Sequence, residues 1–228
     1  MNVLIEHVPY VATGSPVGGY LARPDGVGPF PAVVVIHEVG GLTGSIRATA
    51  RRFAAEGYVA LAVNLYARRP HALCILRIVV GATVRPLDHG SIHDLRAALT
   101  YLAARPEVDA GRLGAIGFCM GGGFAIAWAC RDNRLRAIAP FYGTNPRPLD
   151  AVARSCPVVG SYPGRDFTAW QGRALARALE RHGVPSDIKE YPDTGHSFFD
   201  DHGGNYDPEA ARDAWQRVLA FFSAHMAP

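Results

Sequence analysis

The chain has 228 residues, 49% of them hydrophobic and 19% charged, with a formal net charge of +3. That hydrophobic share supports a sizeable buried core. The charged share, below the usual quarter, excludes a disordered chain and a highly charged nucleic-acid binder. The basic residues are almost all Arg and are scattered. Their densest group, Arg47, Arg51 and Arg52, suits an exposed helix face and not a run that tracks phosphates.

The N-terminus MNVLIEHVPY has neither the basic nor the apolar region of a targeting signal. Residues 17–23 read as an antiparallel strand at one sheet edge. Residues 31–37 form a β-branched run between a Gly/Pro-rich turn and a Gly-rich loop, the pattern of a fully buried strand. A helix over 47–56 stops at Gly57, and 58–63 is the next buried strand. Residues 66–89 are the least regular part, either a cap near a site or an irregular crossover. The most apolar stretch, 72–84, is 13 residues long and contains Arg77, short of the roughly 20 that span a bilayer. A soluble, cytoplasmic protein with no membrane partner is expected. Helix 94–103 carries Leu95, Leu99 and Leu102 at i, i+4 and i+7. Strand 113–117, helix 121–130, strands 137–142 and 157–162, helix 168–182, strand 187–191 and helix 208–225 complete the chain. Alternation of this kind implies a three-layer α/β fold, a mainly parallel sheet with helices on both faces. With no repeat or linker, residues 1–228 read as one domain.

The run GAIGFCMGGGFAIAWAC places Cys119 in a G-x-C-x-G turn between strand 113–117 and helix 121–130. A strand, a tight glycine-flanked turn and a helix are the setting of a nucleophile elbow. Small residues two before and two after let strand and helix approach, and Gly117 and Gly121 supply them. The turn sets the sulfur at a helix N-terminus, where backbone N–H groups favour a thiolate, and the Met120 N–H would face a developing oxyanion. The other thiols, Cys74, Cys130 and Cys156, have no such setting. No C-x-x-C or zinc spacing is present, so no metal and no cofactor are expected.

A nucleophile needs a base and the base an orienting acid, in the order nucleophile, acid, histidine. Asp166 ends the strand 157–162 region in PGRD, where an α/β sheet places its functional groups. Asp193 is its rival. His196 follows Gly195 in a late loop and is the best base among the histidines. Near the N-terminus, HEVGG follows the first core strand. It offers the Val39 N–H as a second oxyanion donor and puts Glu38 at the mouth of the site. There Glu38 either acts on the thiol or pairs with an arginine.

HEVGG, NLYARRP, GFCMGGG, GRD and GHSF together resemble the dienelactone hydrolase family of the α/β-hydrolase superfamily, from about Val17 to the end. The resemblance implies a Cys-His-Asp triad on Cys119, His196 and Asp166. It also implies a role for Glu38 in restraining the resting thiol until substrate binds. In that family an arginine four residues after the histidine binds a substrate carboxylate; here that position is Asp200, followed by Asp201. Arg77, Arg85 and Phe198 are the candidates for substrate contact. The expected partner is a small ester or lactone, with no nucleic acid. A thioesterase or peptidase of the same fold, and a non-catalytic binding protein that kept the fold, are the alternatives.

Overall fold

The computed structural model describes residues 2–12, 15–67, 87 and 89–227. Its strands are β1 (Val3–Ala12), β2 (Ser15–Pro24), β3 (Phe30–Ile36), β4 (Val59–Val63), β5 (Val108–Phe118), β6 (Leu135–Phe141), β7 (Val158–Pro163) and β8 (Ser186–Tyr191). The helices are α1 (Gly44–Ala55), α2 (Gly90–Ala103), α3 (Met120–Ala129), α4 (Ala169–Arg181) and α5 (Pro208–His225), with a 3₁₀ turn at Leu149–Arg154. All eight strands join one sheet in the order β1-β2-β4-β3-β5-β6-β7-β8. The β1–β2 and β2–β4 pairings are antiparallel, and the rest are parallel.

Alternation along β3 shows how the layers form. Ala32, Val34 and Ile36 point to one core, shared with Leu95 and Leu99 of α2, Phe124 and Trp128 of α3, and Leu175 of α4. Val33 and Val35 point to the other, shared with Ile46 and Phe53 of α1 and Trp215 and Phe222 of α5. Burial on both faces is why β3 and β4 read as unbroken apolar runs. The expected mainly parallel sheet with helices on both faces is therefore what the chain forms.

Several expected bounds change: helix α2 begins at Gly90 and not at residue 94, and strand β5 begins at Val108 and not at residue 113. Residues 17–23 do lie in an antiparallel strand, but it is not the edge: β1 pairs outside it over Val3↔Pro24 to Ala12↔Ser15. As an edge strand β1 leaves Leu4 and Ile5 exposed and tolerates Pro9, so its sequence lacks a buried pattern. Helix α1 begins at Gly44 and not at residue 47, because the Thr43 hydroxyl caps it by accepting from the Ile46 N–H at 3.4 Å. Helix α5 keeps its expected bounds, with Asp207 capping Glu209 and Ala210 and Pro208 in the first turn. Of residues 66–89, positions 68–86 and 88 lie outside the described residues. Among the described residues no helix is long and apolar enough to cross a membrane.

The parallel strands run in one direction. Their carboxyl ends lead into the loops that hold Glu38 after β3, Cys119 after β5, Tyr142 after β6, Asp166 after β7 and His196 after β8.

Candidate active site

The elbow is tight because three strands converge on the first turn of α3. Cys119 has φ 53° and ψ −115°, a left-handed conformation that costs a non-glycine residue energy. A Cβ on Gly117 would collide with the Gly121 carbonyl oxygen. One on Gly121 would lie 2.5 Å from the Ile36 oxygen, and one on Gly122 would lie 2.7 Å from the Phe141 oxygen. Only glycine fits at these positions. The Cys119 N–H donates to the Phe141 carbonyl at 3.0 Å, and Gly123 N–H donates to the Cys119 carbonyl at 3.2 Å. Met120 therefore starts α3 at its open amino end, where N–H groups favour negative charge.

His196 Nδ1 donates to Asp166 Oδ2 at 2.6 Å. The Thr168 hydroxyl donates to the same oxygen at 2.7 Å, and the Asp166 side chain is only 5% exposed. Asp193 instead pairs with Arg165 at 2.7 Å on the surface, so the geometry separates the two rivals. The His196 ring lies between Tyr142, 4.9 Å away, and Phe167, stacked at 5.6 Å and 17°. The Asn205 amide donates to the His196 carbonyl at 2.9 Å and braces the loop. A hydrogen bond to Cys119, and then the Asp166 hydrogen bond, outweigh burial and raise the imidazole to about 9. Histidine and aspartate thus form one hydrogen-bonded pair, with Cys119 close enough to act on the imidazole.

The loop after β3 is held from below. Fully buried His37 accepts from the Leu65 N–H through Nε2 at 3.1 Å, so its Nδ1 carries the proton and donates to the Glu38 carbonyl at 2.6 Å. The Tyr66 hydroxyl donates to the Val39 carbonyl at 3.1 Å. Glu38 itself accepts from the Ser197 hydroxyl at 3.2 Å. The resemblance implies a contact between Glu38 and the thiol; the hydrogen bond that this carboxyl makes is to the histidine loop. Burial pushes the Glu38 carboxyl above its ordinary range, and nearby Asp200 adds to the rise, while Ser197 and His196 oppose it. Glu38 and Asp200 line one small cavity with Ser45, Thr49 and Tyr142.

The substrate-contact candidates fare differently. Phe198 is 0% exposed and packs on Tyr191 at 5.0 Å and on Tyr142 at 5.8 Å. It is a core residue, turned inward just after the left-handed Ser197, and not a substrate contact. Arg77 and Arg85, like Cys74, lie outside the described residues. Cys130 is buried and donates to the Ile126 carbonyl; burial pushes its thiol to about 11 and that of Cys156 to about 12. Among the described residues no group of three or more His, Cys, Asp or Glu is placed to hold a metal ion. Sequence reasoning missed Ser197, Tyr142, Phe167 and Tyr66. Tyr66 stands inside the quoted NLYARRP run and Ser197 inside GHSF; Tyr142 and Phe167 have no local signal.

A parallel sheet that carries a strand–elbow–helix turn, with an acid and a histidine on later loops at the same edge, defines an α/β-hydrolase. Residues 17–226 match the dienelactone hydrolase family, and the chain belongs to that family. A Yersinia pestis protein provisionally named carboxymethylenebutenolidase is 33% identical over 93% of this chain and 85% of its own length. The crystal structure of a Klebsiella pneumoniae protein provisionally named dienelactone hydrolase superposes with a TM-score of 0.86 at 29% identity, covering 98% of this chain and 99% of that one. A dienelactone hydrolase-like promiscuous phosphotriesterase from metagenomic libraries gives a TM-score of 0.88 at 26% identity, covering 99% of each chain. As a family member this chain is a hydrolase of the ester and lactone type.

Proposed function

We propose that the chain hydrolyses small carboxylic esters or lactones through a Cys119–His196–Asp166 triad and a thioester intermediate. The observation that carries this reading is the hydrogen bond from His196 to a buried Asp166, beside the glycine-flanked elbow that carries Cys119. With its imidazole raised to about 9, chiefly by the neighbouring Cys119, His196 is basic enough to take the thiol proton as the sulfur attacks. The thiolate forms the C–S bond, and the carbonyl oxygen takes up negative charge between the Met120 and Val39 N–H groups. Collapse breaks the C–O bond, and the leaving oxygen takes the proton from His196. His196 then removes a proton from water as its oxygen attacks the thioester, and the thiolate departs. Asp166 holds the imidazole in the required tautomer and orientation. Glu38 restrains the thiol at rest. No cofactor enters these steps.

Asp200 beside Glu38 makes this part of the site acidic. A carboxylate placed there meets repulsion, so neutral esters and lactones are the substrates this reading favours. Turnover of 4-nitrophenyl acetate and of matched neutral and anionic lactones by wild type, Cys119→Ala and Cys119→Ser tests both points. Cys119→Ala is expected to lose about a thousandfold or more in kcat, as removal of a triad nucleophile does. Full activity in Cys119→Ala sinks the triad. A marked preference for anionic lactones sinks the substrate class alone.

A further inference from the structure

Phe167 stands between the proposed orienting acid and the residue that fixes it. The Thr168 hydroxyl donates to Asp166 Oδ2 at 2.7 Å, and the Ala169 N–H donates to the Asp166 carbonyl at 3.1 Å, so the backbone on both sides of Phe167 is tied down. That turn lays the Phe167 ring over the His196 imidazole, with 5.6 Å between centroids and 17° between planes. The rest of the ring is open. Phe167 is 65% exposed, more than any other Phe, Tyr or Trp among the described residues. An isolated exposed apolar side chain is ordinary; what sets Phe167 apart is that its partner is the base. Tyr142, which also packs on the imidazole, is buried and has no open face to offer a substrate. Asp166 occupies Nδ1 of His196 at 2.6 Å, which leaves Nε2 to pass the proton to the departing oxygen. That oxygen must come within about 3 Å of Nε2. The carbon chain it carries therefore lies beside the imidazole, where Phe167 presents its open ring.

We propose that Phe167 is a specificity-determining residue: its ring is the wall against which the leaving alcohol packs, and it favours esters whose alcohol is apolar, aromatic alcohols above all. This deepens, and rests on, the reading of the chain as an ester hydrolase in which His196 protonates the leaving group. Phenylalanine has no polar side-chain atom, so a polar alcohol finds no partner on this wall. An apolar alcohol removes the exposed ring from water, which is favourable, and an aromatic one adds the attraction of an offset-stacked or edge-to-face pair. The acyl group hangs from the carbonyl carbon, across the bond that breaks, and does not depend on this wall.

The test compares benzyl acetate with 2-methoxyethyl acetate, whose alcohols are of similar acidity but differ in polarity, on wild type, Phe167→Ser, Phe167→Leu and Phe167→Tyr. Both esters give the same acetyl-thioester, so kcat/KM reports the step in which the alcohol leaves. Wild type should prefer benzyl acetate. Phe167→Ser should lower the benzyl-to-methoxyethyl ratio of kcat/KM by about tenfold, the upper worth of one aromatic pair, chiefly through KM. Phe167→Leu keeps an apolar wall without the ring and should fall between, and Phe167→Tyr should keep the wild-type ratio. Any effect on His196 itself falls on both esters and cancels, so an unchanged ratio overturns the proposal even where both rates drop. Benzyl butyrate against benzyl acetate varies the acyl group alone. In Phe167→Ser that ratio should change by less than about twofold; a change as large as the leaving-group effect puts Phe167 at the acyl group and overturns the proposal. Turnover that depends on Cys119 but shows an unchanged leaving-group ratio sinks this inference alone. Turnover of neither ester by wild type sinks the ester reading and this inference with it.

Discussion

Gly121→Ala tests whether the elbow geometry governs catalysis. The new Cβ would stand 2.5 Å from the Ile36 carbonyl oxygen and 2.7 Å from that of His37, where real contacts do not fall below 3.0 Å. Both obstacles are backbone atoms, so no rotamer change relieves them, and the start of α3 must part from the end of β3 by at least about half an ångström. Those two segments carry the proposed oxyanion donors, Met120 just before Gly121 and Val39 just after Glu38. A misplacement of about 1 Å costs about a hundredfold in rate, so half of that predicts a loss of about tenfold in kcat. Overpacking also costs about 1–3 kcal/mol, which for a chain of this length lowers the melting temperature by about 2–12 °C. The assay is kcat and KM on 4-nitrophenyl acetate well below the melting point. Gly57→Ala serves as the control. Gly57 has φ 90° with nothing near its missing Cβ, so that variant loses stability through backbone strain and keeps kcat. If Gly121→Ala retains wild-type kcat, or if Gly57→Ala loses as much, the argument from elbow geometry is wrong.

Two further outcomes follow from the titrating groups. His196 rises in the fold from an ordinary 6.5 to about 9; its imidazolium thus adds stability that is fully present below 6.5 and lost as pH rises through about 9. The melting temperature of wild type should fall across that window, and that of Cys119→Ala, which lacks the first cause of the rise, should fall less. Iodoacetamide at neutral pH should label Cys119 in the native protein well before Cys130 and Cys156, whose thiols are held protonated by burial at about 11 and about 12. Equal labelling of the three cysteines would count against the reactivity assigned to Cys119.

What the sequence discloses divides along a physical line. Strands β3 and β4 are legible because burial on both faces forces an unbroken apolar run, and α5 because its Asp207 cap and Pro208 are local signals. The elbow is legible for the same reason: its glycines and Cys119 lie within five residues. Asp166 and His196 are then found by chain order along strand ends. Edge strand β1 escapes because only its inner side is paired and Leu4 and Ile5 face solvent. Ser197 escapes because its partner is a carboxyl 159 positions away and its left-handed backbone is not announced by its residue type. Phe198 misleads for the complementary reason: adjacency to His196 suggests the site, while the turn at Ser197 sends its ring into the core.

The strain at this site is collective. Among the described residues the non-glycine positions with positive φ are Cys119, Tyr142 and Ser197, and all three surround the same few side chains. Each left-handed residue costs about 1–2 kcal/mol, so the turns persist only because their surroundings hold them. The holding structure is an aromatic floor. Phe118 lies 5.1 Å from Phe141, Phe141 lies 4.9 Å from Phe199, and Tyr142 packs at 5.8 Å on Phe198. Backbone bonds fasten two of the turns to the sheet, Cys119 N–H to the Phe141 carbonyl and Tyr142 N–H to the Ser161 carbonyl. Tyr142 links the set, with its ring 4.9 Å from that of His196 and its backbone one residue beyond the carbonyl that anchors the elbow. The proposed nucleophile Cys119 and base His196 therefore take their positions from one aromatic layer beneath them. Substitutions of the Phe141 or Phe199 ring, which enters none of the hydrogen bonds of the proposed triad, should perturb catalysis for that reason and not only through stability.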